Sequence, residues 1–283
     1  MNLTRDKFMA ELTGLNNKVA VITGGTQGLG AATAHLFAER GAKGLILCGR
    51  QTDKGLAVAK EIQQQHPACV VHFVTADLAE VDSPQRIIKA AQEHFGQLDI
   101  LINVAGLSAR GTILDTTPEL YDRIMNINVR APFFLIQEAA KLMRSTGTEG
   151  SIVNIGSIAA YAGAPSLTAY CTSKGGLNTL TRNTAHALMR DRIRVNCLNI
   201  GWMSSDEEDV IQRKYHGAED GWQEKVGASL PFGRLVDPNE VARALAFLAS
   251  DESGIMTGSV VNFDQSIWGA SDAMVVPEHR LPD

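Results

Sequence analysis

Tyr170 and Lys174 stand four positions apart in the segment Tyr170-Cys171-Thr172-Ser173-Lys174. On a helix such a pair shares one face. A lysine cation beside a phenol favours the phenolate and is expected to lower its pKa from about 10, which makes the tyrosine a usable acid or base near neutrality. The same spacing occurs freely on surface helices, so the pair takes its meaning from its company. Ser157 lies thirteen positions earlier, directly after an apolar run, where its hydroxyl can meet a substrate oxygen. Asn128 falls inside a predicted helix, where asparagine is mildly unfavourable; a capping or helix-bending contact is the plain alternative to a role in chemistry. Upstream, Thr23-Gly24-Gly25-Thr26-Gln27-Gly28-Leu29-Gly30 places Gly24, Gly28 and Gly30 in a TGxxxGxG pattern. Glycines between a strand and a helix let a pyrophosphate approach the backbone at the helix N-terminus.

The elements that must position these groups alternate along the chain. Short apolar runs at Lys18–Thr23, Leu45–Cys48, Val70–Val74, Asp99–Asn103, Ser151–Ile155, Arg194–Asn199 and Val260–Phe263 read as buried strands. Between them, helical spacing predicts helices over Ala31–Glu39, Leu56–Ile62, Ile87–Phe95, Pro118–Met143, Ala169–Met189 and Glu240–Leu248. Continuous apolar strands alternating with helices predict an α/β fold: a three-layer, doubly wound parallel sheet of Rossmann type, in a single domain. That domain is expected over 15–270, with an extension over 1–14 and a tail over 271–283. The acidic segment 204–231, with Trp222 and three glycines, breaks the rhythm and is expected either to cover a site as a lid or to form an ordinary pair of surface helices.

The end of the second strand carries no carboxylate, only Arg50, and a guanidinium suits a 2′-phosphate. NADP is therefore expected in preference to NAD. Asp77 and Asn103-Val104-Ala105-Gly106 follow the third and fourth strands, at the sheet edge where ligands bind in open α/β folds. The 283 residues carry a net charge of −5, which weighs against a nucleic-acid partner. No apolar run is long enough to span a membrane. No metal site is expected. The four cysteines form no CxxC pair and sit among apolar residues, so free thiols in a reducing, cytoplasmic setting are expected.

Taken together, the glycine turn, Asn103-x-Ala105-Gly106, Asn128, Ser157 and Tyr170-x3-Lys174 occur in the order and spacing of the short-chain dehydrogenase/reductases, which the chain resembles from Leu15 to Gly269. The resemblance implies hydride transfer between a nicotinamide and a carbonyl or secondary alcohol. It assigns Tyr170 as acid/base, Lys174 as its tuner and ribose ligand, Ser157 as the group that polarises the substrate oxygen, and Asn128 as anchor of a water in the proton relay. It implies a dinucleotide site built from Gly24, Thr26, Gln27, Gly28, Leu29, Gly30, Arg50, Asp77, Leu78, Asn103, Ala105, Gly106, Gly201, Met203 and Ser205, with Tyr170 and Lys174. It also implies a homotetramer, for which the faces at Ala139-Ala140 and Leu177–Leu188 are apolar enough. The family's Pro-Gly after the sixth strand is Ile200-Gly201 here, and its Asp-Gly-Gly near the C-terminus is Asp264-Gln265-Ser266.

For a small-molecule substrate the candidate residues are Ser108, Arg110, Tyr161, Ala162 and Trp202. Polar groups with a tryptophan suit a sugar or polyol; Arg110 alternatively suits a carboxylate or phosphate. A 3-oxoacyl thioester reductase and a non-catalytic dinucleotide sensor are the other readings.

Overall fold

Alternation along each strand decides which helical layer a side chain meets. The computed structural model describes residues 14–267; the expected extension over 1–14 and tail over 271–283 lie outside the described residues, apart from Gly14. Strands β1 (Val19–Thr23), β2 (Gly44–Gly49), β3 (Val70–Thr75), β4 (Ile100–Asn103), β5 (Ser151–Ser157), β6 (Arg194–Ile200) and β7 (Val260–Phe263) pair in parallel, in the order β3-β2-β1-β4-β5-β6-β7. The helices are α1 (Gly28–Glu39), α2 (Thr52–Gln65), α3 (Ser83–Phe95), α4 (Pro118–Met125), α5 (Ala131–Thr146), α6 (Thr168–Leu188), α7 (Asp206–His216), α8 (Trp222–Ala228) and α9 (Pro238–Ala249). Val21, Ile46, Leu101, Ile152 and Val195 face α3, α5 and α6. Their chain neighbours Ala20, Ile22, Leu45, Leu47, Ile100 and Ile102 face α1, α2 and α9. Both faces of the central strands are thus dry, while the edge strands β3 and β7 are partly exposed. Each buried aliphatic side chain contributes about 1.5–3 kcal/mol, which explains why β1, β2 and β4 read as nearly continuous apolar runs.

Sheet order reverses between β1 and β4, and this is the switch point where a crevice opens at the carboxyl ends of the strands. Every expected strand is present. The helices begin earlier than expected, at Gly28, Thr52 and Ser83, because polar first turns carry no apolar periodicity to reveal them.

The helix expected over Pro118–Met143 starts at Pro118, capped by Thr117 whose hydroxyl accepts from the Leu120 amide, and continues to Thr146. It is not uniformly α-helical. Asn126–Arg130 forms a π turn, closed by a bond from the Ala131 amide to the Asn126 carbonyl. Pro132 explains the widening: it has no N–H for the carbonyl of Asn128, four residues back, and its ring crowds that carbonyl. Ala139 and Ala140, expected on a subunit interface, are buried inside the subunit among the side chains facing β1 and β4. Leu177 is likewise buried, whereas Phe133 and Phe134 on α5 are exposed.

Candidate active site

One cleft runs along the carboxyl edge of the sheet from Arg50, past the glycine turn, to Tyr170. Its first half is backbone. Gly24 and Gly28 have φ of +69° and +52°, in the left-handed region that favours glycine. A Cβ on Gly30 would stand 2.1 Å from the Gly24 oxygen, so only glycine lets α1 start this close to the turn. Gln27 precedes the helix in extended conformation with no capping side chain, and the first turn holds no acid. The orphan amides of α1 therefore remain available to an anion, and this cradle fits the pyrophosphate of a dinucleotide. Gly24, Thr26, Gln27, Gly28, Leu29 and Gly30 all border the cleft; so do Ala105 and Gly106 from the β4 exit.

Arg50 lies exposed at the far end, beside Cys48 and Gly49. Asp77 and Leu78 border the cleft after β3. Burial pushes the Asp77 carboxyl up, but the Ala79 amide at 2.9 Å and the Arg123 guanidinium at 3.3 Å outweigh it and hold the group below its usual range, with Arg50 adding a smaller pull.

Two expected cofactor contacts lie elsewhere. Asn103 is buried beneath the cleft, because its register partner on β5 is Asn154, to which its Nδ2 donates at 2.8 Å. Its Oδ1 is the one buried side-chain oxygen or nitrogen without a partner among the described residues. Gly201 backs onto Asp264, whose Oδ1 would stand 2.0 Å from a Cβ, and its amide donates to the Phe263 carbonyl at 3.0 Å. Met203 and Ser205 do border the cleft. Ser205 caps α7 by accepting from the Glu208 amide at 3.1 Å, which leaves its hydroxyl proton free to donate.

At the other end, α6 carries Tyr170 and Lys174 on one face, with Nζ 5.7 Å from the phenol ring centroid. Nζ donates to the Ile155 carbonyl at 2.7 Å. Ser157, the last residue of β5, is 8% exposed and hydrogen-bonds Tyr170. Burial pushes the Lys174 ammonium down to about 8. Burial also pushes the Tyr170 phenol up to about 12, against the Ser157 hydrogen bond; Cys171 and Glu208 add to the rise, and the Arg110 charge opposes it. This reverses the expected depression of the phenol by lysine. Desolvation dominates both groups.

Asn128 is buried under the β4 exit. Its Oδ1 accepts from the Leu107 amide at 2.8 Å, while Nδ2 donates to the Leu107 carbonyl and the Ser173 hydroxyl, both at 2.9 Å. The side chain is fully engaged in clamping that loop to α6. Pro132 deprives the Asn128 backbone carbonyl of its helical donor. A Cβ on Gly106 would stand 3.5 Å from both Asn128 Oδ1 and Lys174 Nζ, so the three groups meet at one point.

Of the substrate candidates, Ser108 borders the cleft. Arg110 donates through Nη1 to the Ser108 carbonyl at 2.7 Å and through Nε to His216 Nε2 of α7 at 3.4 Å. Tyr161 reaches the other way, donating to Asn262 Oδ1 of β7 at 3.0 Å, and with Ala162 lies off the cleft. Trp202 is also off the cleft wall; its indole N–H donates to Glu208 Oε1 at 2.9 Å and its ring packs 5.9 Å from that of Trp222. The wall is instead formed by Asp206, Glu207, Glu208 and Ile211 of α7, which sequence reasoning did not single out. The only signal was the acidic character of 204–231, which folds as the helix pair α7 and α8.

Three comparisons fit this architecture. A family profile described as enoyl-(acyl carrier protein) reductase matches residues 24–265. The chain is 37% identical over 249 residues to the short-chain dehydrogenase/reductase FrzI of Cladobotryum sp., covering 88% of this chain and 95% of that one. It is 32% identical over 261 residues to galactitol 2-dehydrogenase of Agrobacterium fabrum, covering 90% and 98%. L-sorbose reductase of Gluconobacter frateurii, solved with NADPH and L-sorbose, superposes with a TM-score of 0.84 at 28% identity, over 92% of this chain and all of that one. The chain belongs to the short-chain dehydrogenase/reductase family. It is an oxidoreductase that interconverts CH–OH groups and carbonyls with a nicotinamide dinucleotide.

Proposed function

We propose that the enzyme acts on a sugar or polyol with NADP as preferred coenzyme, and that Tyr170 is its acid/base. The observation that carries this reading is the convergence of Tyr170, Ser157 and Lys174 at one end of a cleft whose other end is the glycine turn. The bound dinucleotide supplies or receives the hydride. Ser157 orients the substrate oxygen, and Tyr170 donates a proton to it in reduction or removes one in oxidation. With burial raising its pKa to about 12, Tyr170 is protonated at neutral pH and is ready as a donor. Lys174, buried against the Ile155 carbonyl, holds the ribose end, and the Asn128 carbonyl holds a water that replenishes the proton.

Arg50 supports NADP because its guanidinium borders the cleft directly after β2, a strand that ends without a carboxylate; the solved relative with NADPH agrees. The relatives active on galactitol and L-sorbose support a polyhydroxylated substrate. Segment 204–231 serves as the lid, since the first turn of α7 walls the cleft. The reading carries a homotetramer, for which exposed Phe133 and Phe134 on α5 are the apolar surface, and a cytoplasmic setting, supported by four unpaired cysteines.

Tyr170→Phe tests the assignment. Turnover is expected to fall by roughly 10²–10⁴ while dinucleotide binding, followed by fluorescence titration, is retained. Full activity in the variant would remove Tyr170 from the role. A wild-type protein that binds dinucleotide but turns over nothing would favour the sensor reading.

A further inference from the structure

The α7 wall brings one carboxylate to the reacting end of the cleft in an unusual state of partial use. Glu208 borders the cleft together with Tyr170 and Ser108. Its Oε1 accepts twice, from Trp202 Nε1 at 2.9 Å and from Gln212 Nε2 at 2.7 Å. Gln212 is itself buried. Ser205 caps the same helix through the Glu208 amide at 3.1 Å. The carboxylate is therefore held by two neighbours, both through Oε1, on a helix whose start Ser205 caps. Among the described residues, Oε2 accepts no hydrogen bond. Its neighbour Asp209 differs: both of its oxygens are engaged, Oδ1 by Trp222 at 2.7 Å and Oδ2 by Arg213 at 2.7 Å. A rigidly held, half-satisfied carboxylate in a cleft is an acceptor waiting for a donor.

The chemistry of that donor follows from charge. Glu208 and Arg110 both act on Tyr170, with opposite signs. A cationic substrate gains from Glu208 but is opposed by Arg110; an anion meets the reverse. An uncharged molecule with hydroxyl groups gains without penalty. We propose that Glu208 is a specificity-determining residue whose Oε2 accepts a hydrogen bond from a substrate hydroxyl beside the reacting carbon, so that the site selects uncharged α-hydroxy ketones and vicinal diols. The proposal rests on the sugar or polyol reading and deepens it.

The test uses the intact enzyme, Glu208→Gln, and three substrates: a ketose, its deoxy analogue lacking the hydroxyl beside the carbonyl, and a simple aliphatic ketone. The substitution is nearly isosteric. The amide oxygen of Glu208→Gln still accepts from Trp202 and Gln212, while the Oε2 acceptor becomes an NH₂ donor. Wild-type enzyme is expected to prefer the ketose over its deoxy analogue by at least about tenfold in kcat/KM, the size of one hydrogen bond to a charged group. In Glu208→Gln that preference falls severalfold, because the NH₂ can offer the hydroxyl only a neutral bond in place of the charge-assisted one. A preference that survives undiminished in the variant overturns the role of Glu208 and leaves the sugar reading intact. Absence of a preference in the wild type, with ketose turned over, overturns it without any variant. A wild type that turns over no ketose or polyol at all removes the sugar reading, and the proposal with it.

Discussion

The two halves of the cleft are built by different means. The cofactor half is made of backbone: the turn from Gly24 to Gly30, the start of α1 and the β4 exit, all within a few residues of a strand end. The substrate half is made of side chains brought from far apart. Arg110 meets His216 across 106 positions, and Trp202, Glu208 and Gln212 meet through α7. Backbone geometry tolerates almost no substitution but accepts one ligand class. Side-chain geometry is easily rewritten, and it is there that members of one fold diverge in substrate.

The sharpest way to break this contrast is at Gly30. Because a Cβ there would stand 2.1 Å from the Gly24 carbonyl oxygen and 2.7 Å from its carbon, neither of which can rotate aside, Gly30→Ala must part the turn from α1. The expected result is loss of dinucleotide binding by about 100-fold or more, with about 1–3 kcal/mol of stability lost to overpacking. Isothermal titration and a denaturant melt measure the two effects. Near-normal binding would show that the backbone half is softer than described.

A smaller effect is expected where the cofactor half relies on a side chain. Arg50→Ala should weaken NADPH binding by roughly 10–100-fold, the range of a charge-assisted contact, and NADH binding by no more than about twofold. Equal weakening of both coenzymes would remove Arg50 from the 2′-phosphate role. Specificity in this half would then have to come from backbone as well.

The same contrast explains what the sequence discloses. The strands announce themselves as mostly apolar runs, most plainly the central ones whose two faces are dry, and the glycine turn announces itself because its backbone leaves no alternative residue. Asn103 and Gly201 show the limit of reading by position. Both fall at strand ends beside the cleft, but register turns Asn103 to Asn154 and packing turns Gly201 to Asp264. Asn128 is legible as an oddity in a helix, yet its clamp on Leu107 and the π turn imposed by Pro132 appear only in three dimensions. Glu208 is hidden among four consecutive acids, and nothing in Asp206-Glu207-Glu208-Asp209 says which carboxylate Trp202 and Gln212 anchor in the cleft with an oxygen to spare. The phenol of Tyr170 is the clearest reversal. Spacing from Lys174 suggests a lowered pKa, whereas burial, which spacing does not encode, raises it.

The measurement that bears most directly on the central claim is the initial rate of nicotinamide reduction by the wild-type enzyme across sugars, polyols, simple secondary alcohols and 3-hydroxyacyl thioesters, each with NADP⁺ and NAD⁺. The account predicts turnover concentrated on sugars or polyols, with NADP⁺ the better coenzyme. Turnover confined to the thioesters, or silence across the panel while dinucleotide still binds, would contradict it.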